Sequence, residues 1–159
     1  MTRTVRAVPP PDHDDILPGS TFCDAYAMDV PGERGSARAA AMAVFGTMPV
    51  WVRWLMAARN LLVTPFGLKT EPHPARDGAD RIGFFPVVAE RPERIVLGFD
   101  DRHLDFRIIT DIVPVTGDMR RIRVATAVRT CNRLGRTYLA LILPFHRMIV
   151  RAAMARARF

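Results

Sequence analysis

Lysine is almost missing from this chain: of 23 basic residues in 159, only Lys69 is lysine and the rest are arginine. A GC-rich genome produces that skew, and a need for guanidinium chemistry would produce it equally. Cysteine is scarce too, with Cys23 and Cys131 alone. Two such thiols without a secretory leader are expected to be reduced and partly buried rather than bridged. The first twenty residues have no apolar h-region and carry Pro9, Pro10, Pro11, Asp12, Asp14 and Asp15 instead. Secretion is therefore not expected, and a cytoplasmic location is. The longest apolar run near the end, Thr137 to Val150, is broken by Pro144, His146 and Arg147. It falls short of the about twenty residues of a membrane span, so it predicts a core helix and no transmembrane segment.

Acid is absent from the whole C-terminal quarter. Residues 1–118 hold 13 basic and 16 acidic residues, a net −3, whereas 119–159 hold ten arginines and no acid, a net +10. The overall +7 thus belongs to one segment. These arginines lack the interleaved exposed aromatics of a single-strand platform, which leaves nucleic acid unexpected. Arg147, Arg151, Arg156 and Arg158 with Phe159 could grip an anionic surface, a phosphate-bearing ligand or an acidic protein partner, or could simply complement a helix dipole. Also absent are a glycine-rich phosphate loop, a G-x-S-x-G elbow and the short His/Cys/carboxylate spacing of a metal site, so neither cofactor nor metal is expected.

What is present has the patterning of one α+β domain over residues 17–159, behind a flexible Pro/Asp-rich lead over 1–16. Thr21 to Val30 predicts a strand of imperfect alternation, closed by Pro31-Gly32. Ser36 suits the N-cap of an alanine-rich helix ending at Phe45, with Gly46 at the left-handed C′ position. A second helix is predicted from Thr47–Pro49, with Trp51, Trp54, Leu55, Ala58, Leu61 and Leu62 on its apolar side. The polar stretch Lys69 to Asp80 predicts a loop. Four strands follow at hairpin distance: Arg81 to Ala89, Arg94 to Asp100, His103 to Val115 and Arg120 to Cys131. In the last, Ile122, Val124, Thr126, Val128 and Thr130 take a buried face, while Arg121, Arg123 and Arg129 take a wet one. From Leu134 the period turns helical, with Tyr138, Leu141, Ile142, Phe145, Met148, Ile149 and Ala152 as the inward stripe. Pro144 is expected to kink this helix.

Two polar constellations could carry chemistry. Asp100, Asp101, Arg102, His103, Asp105 and Arg107 crowd one turn, where His103 could act as general base beside a carboxylate. The plainer alternative is a solvated turn with an exposed Asp105–Arg107 ion pair. His146 lies in an apolar helix beside Pro144, where it could cap the freed carbonyl of Ala140 or reach a ligand.

The strings Trp51-Val52-Arg53-Trp54, Pro65-Phe66-Gly67-Leu68-Lys69, Ile82-Gly83-Phe84-Phe85-Pro86, Leu97-Gly98-Phe99-Asp100 and Tyr138-Leu139-Ala140-Leu141-Ile142-Leu143-Pro144-Phe145-His146 together resemble the bacterial DUF2867 family. That family is similar to the START, Bet v 1 and polyketide-cyclase-like (SRPBCC) superfamily. The resemblance implies a helix-grip fold, an antiparallel sheet wrapped around a long C-terminal helix, with a helical hairpin after the first strand. It also implies a cavity for an apolar or amphipathic small molecule, lined by Trp51, Trp54, Phe84, Phe99, Phe106, Arg107, Tyr138, Ile142, Phe145 and His146. An alternative is a cyclase- or isomerase-like enzyme with His103 or His146 as base and Asp105 or an arginine as orienter. Another is an accessory subunit of a reductase, since some relatives are fused behind a nucleotide-binding domain.

Overall fold

The computed structural model describes residues 4–12, 14–32, 35–46 and 80–159. The second helix of the expected hairpin, with Trp51 and Trp54, and the loop after it lie outside the described residues.

Among the described residues seven strands form one antiparallel sheet: β1 (Arg6–Ala7), β2 (Phe22–Pro31), β3 (Arg81–Ile82), β4 (Phe85–Arg91), β5 (Arg94–Asp100), β6 (Leu104–Pro114) and β7 (Met119–Thr130). Their spatial order is β1-β2-β7-β6-β5-β4-β3. β2 pairs with β7, far along the chain, and β4 to β7 form a meander. Helix α1 (Ala37–Phe45) precedes the meander and α2 (Arg133–Arg156) follows it.

The sheet has two unlike faces because side chains alternate along each strand. On the inner face Tyr26, Met28, Val30, Ile95, Leu97, Ile108, Ile122 and Val124 form the core with Ala37, Ala40, Ala41, Val44 and Phe45 of α1. The C-terminal turns of α2 complete it with Val150 and Met154. The small residues of α1 let its backbone come close to the sheet. Its start is held by Ser36 Oγ, which accepts from Ala39 N, and by Ala37 N–H, which donates to Pro92 O. Gly46 is not the left-handed residue expected: it keeps a right-handed φ of −63° and donates its N–H to Met42 O.

On the outer face of the last strand the arginines stand only partly in water. Arg121, Arg123 and Arg129 each stand directly opposite a carboxylate on a neighbouring strand. Arg121 bonds Asp29 at 2.7 Å, Arg123 bonds Asp111 at 2.6 Å and Arg129 bonds Asp105 at 2.7 Å. Arg94 and Arg6 add second partners to Asp111 and Asp29. Between these pairs Ala25, Val96, Ile109 and Ala125 make a small apolar patch, which Val8 and Ile16 of the N-terminal segment cover. That segment also supplies β1, paired with Tyr26 and Ala27 of β2.

The expected strand Arg81 to Ala89 is two strands, β3 and β4, because Gly83 turns the chain at φ +59°. A Cβ at that position would run into the carbonyl of Phe45. The C-terminal helix departs most from expectation. It runs through Pro144 for 24 residues, of which only Gly135, Val150 and Met154 are buried, so it is no core helix. Leu141, Phe145 and Met148, expected inward, are 68%, 47% and 52% exposed. The side turned to the sheet instead holds Tyr138, Leu139, Ile142 and His146, half-buried, leading down to Val150 and Met154. By length and mean hydropathy, 1.3 over its most apolar stretch, α2 is long and apolar enough to cross a bilayer, although the interrupted run Thr137 to Val150 is itself too short.

Candidate functional site

Ahead of the packed core, the inner face of β2 carries an acid. Asp24 lies opposite Thr126 of β7, next along that face from Tyr26, and a carboxylate there is costly to bury without a partner. Helix α2 provides one: His146 Nε2 is 3.1 Å from Asp24 Oδ1, and the two side chains are 18% and 16% exposed. The ring of Phe22 meets the imidazole edge-on, with centroids 6.2 Å apart. Asp24 Oδ2 is buried without a hydrogen bond of normal geometry among the described residues, as is Thr110 Oγ1 on the same face. Burial first, and then the charge of Asp24, pushes the Tyr26 phenol above its ordinary value, while Arg147 and Arg151 pull the other way.

The arrangement is a His–Asp pair at the boundary between a lightly packed helix and a sheet. With Nε2–H donating to the carboxylate, Nδ1 is left as an acceptor, and the carboxylate fixes that tautomer. Such a group can anchor the polar end of a ligand or take a proton from it. His146 therefore does not cap the carbonyl of Ala140.

Across the inner face toward α1 lies an aromatic run. Phe99 and Phe106, opposite one another on β5 and β6, pack edge to face with centroids 4.4 Å apart. Phe106 meets Phe85 and Phe85 meets Phe45, each at 5.9 Å. Of the residues expected around a ligand, the structure thus brings Phe99 and Phe106 to the inner face of the sheet, and Tyr138, Ile142 and His146 to the facing side of α2. It does not bring Phe84, Arg107 or Phe145 there, and Trp51 and Trp54 lie outside the described residues. Phe84 is 51% exposed at the β3–β4 turn and Phe145 points away from the sheet. Arg107 lies on the outer face, bonded to Asp100 at 2.8 Å.

The turn cluster at His103 is built differently from the expectation. His103 Nδ1 faces the amide of Asn132 at 2.9 Å, not a carboxylate, and Asn132 is the N-cap of α2, accepting from Gly135 N. A Cβ on Gly135 would strike the His103 carbonyl, so glycine is what lets the first turn of α2 settle there. Asp105, 4% exposed, is held by Arg129 and by the Asp101 N–H, and makes no ion pair with Arg107. Both cysteines are free. Burial, and then Asp24, pushes Cys23 up to about 11, while burial, and then Asp105, raises Cys131, so neither is an activated thiolate. Among the described residues no cluster of three His, Cys, Asp or Glu is placed to hold a metal.

Asp24, Tyr26 and Phe22 are the residues sequence reasoning missed. Their signal was the imperfect alternation of that first strand, where an acid occupies the inward register. A separate open cleft of about 510 Å³ lies at the far end of the sheet, lined by Gly35, Pro92, Ile112, Pro114, Met119 and Arg120 among others. It is walled largely by turns, and the Ser36 hydroxyl beside it is committed to the α1 cap.

Residues 16–153 match DUF2867, described as a protein of unknown function. The chain belongs to the DUF2867 family. No curated protein matches this DUF2867 chain. Among solved structures it is similar to norcoclaurine synthase from Thalictrum flavum, with 9% sequence identity and a TM-score of 0.28 over 97% of this chain and 86% of that one. A likeness that slight carries no conclusion about fold or chemistry.

Proposed function

We propose that this DUF2867 chain is a helix-grip binding module that holds an apolar or amphipathic small molecule between the inner sheet face and α2. The observation that carries the reading is the His146–Asp24 pair, set under the half-buried Tyr138 and Ile142 where α2 is not packed into the core. Ligand sites are mostly apolar with a few placed polar groups, and this is the one place on the inner face where the described residues combine the two. Among the described residues Thr110 Oγ1, on the same face, is a buried polar atom without a hydrogen-bond partner. Binding is tested by native mass spectrometry of the purified protein and by titration with an environment-sensitive fatty-acid probe. Uptake that is lost in Ile142→Trp, with the thermal midpoint retained, is the expected result. A well-folded protein that takes up neither probe nor co-purified ligand ends the reading.

The same pair favours a second reading, proton transfer by His146 with Asp24 as its orienter. A ligand recovered unchanged after incubation supports binding alone. Recovery of an isomerised or cyclised product, absent with His146→Gln although uptake persists, supports the enzyme.

A further inference from the structure

We infer that the outward side of α2 docks on an anionic membrane surface. Leu141, Phe145 and Met148 follow one another at four- and three-residue spacing and project from the molecule, 68%, 47% and 52% exposed. They form a stripe on a helix whose most apolar stretch is only 11% buried. The helix also carries Arg133, Arg136, Arg147 and Arg151, all exposed, with Arg133 and Arg151 about a quarter-turn round from that stripe and Arg136 and Arg147 farther round. None of them enters an ion pair with another described residue, whereas Arg121, Arg123 and Arg129 of the sheet all do. No acidic residue follows Asp118, so the surface presented by α2 is of one sign.

An apolar stripe flanked by arginines is the pattern of a helix lying in the plane of a bilayer, with the rings and aliphatic chains below the headgroups and the guanidinium groups among the phosphates. Charge complementarity selects anionic lipid over a neutral bilayer. The attachment of α2 selects a surface position over a span: its first turn rests on the His103 carbonyl at Gly135, and Val150 and Met154 are locked in the core. A helix held by the domain at both ends can offer one long side to a plane but cannot thread through it.

The full chain is mixed with vesicles of phosphatidylcholine alone or enriched in phosphatidylglycerol, and sedimented. The expected result is binding to the anionic vesicles only, declining as salt rises. The double substitution Leu141→Ser, Met148→Ser should weaken that binding by about tenfold or more while leaving the thermal midpoint in place. Any of four results overturns the inference: no sedimentation with phosphatidylglycerol at low salt, equal binding to both vesicles, binding indifferent to the double substitution, or a stable dimer that the same substitution dissociates.

Discussion

Asp111 is clamped between Arg94 on β5 and Arg123 on β7, its carboxylate 5% exposed and within 2.6 Å of each. Loss of one member of a buried ion pair is expensive because the other charges stay behind without compensation. Both arginines keep part of their surface in water, which softens the penalty. Asp111→Ala is expected to cost about 2–3 kcal/mol, read from urea unfolding midpoints with an unchanged m-value. The same geometry explains an expectation that failed. Asp105 and Arg107 do share a face, as their spacing says, but residues two apart on a strand are farther from one another than residues directly opposite across a ladder. Asp105 lies opposite Arg129 and pairs there. Periodicity told which residues face the same way; it could not tell which strand would supply the partner. His146 shows the same limit, since its partner Asp24 is 122 residues away in sequence.

At the scale of elements, the strands were legible and the terminal helix was half legible. β5 has the span predicted for it, and β2, β6 and β7 differ from theirs by a residue or so, because alternation bounded by Pro, Gly and Asp turns is a local signal. The Ser36 cap was legible for the same reason. In α2 the period was clear but the buried side was not, because Leu139, Leu141, Ile142, Leu143, Phe145, Met148, Ile149 and Val150 surround the helix with apolar side chains. A stripe that wide does not choose a face, and packing turned Leu141, Phe145 and Met148 outward. Two methionines test the orientation. Met154, fully buried, should cost about 3 kcal/mol on change to alanine, roughly 10 °C in thermal midpoint for a chain of this size. Met148→Ala, on the exposed side, should stay within about 0.5 kcal/mol. The opposite ranking would mean that α2 is rotated from the orientation described.

For the whole molecule, the arginine excess near the C-terminus and the acid excess before it meet across the sheet as paired rows. Asp29 is held down to about 2 by the hydrogen bond from Arg121 and then by Arg6, against the opposing effect of burial. Its ordinary value is 3.8, so folding favours the ionised form. The resulting stability is fully present above about pH 4 and is lost as pH falls through 2. After allowance for screening it amounts to on the order of 1–2 kcal/mol. Asp29→Asn should therefore destabilise the protein at pH 6, and the gap from the natural protein in urea midpoint should close as pH approaches 2. The amino-acid sequence by itself determined the α+β class, most strand spans, the start of α1 and the segregation of charge, since each of these is written in neighbouring residues. Only the tertiary structure decided which side of α2 meets the sheet, which arginine meets which carboxylate, and that His146 would meet Asp24. Those outcomes depend on register and on helix rotation, which are set by packing between segments far apart in the chain.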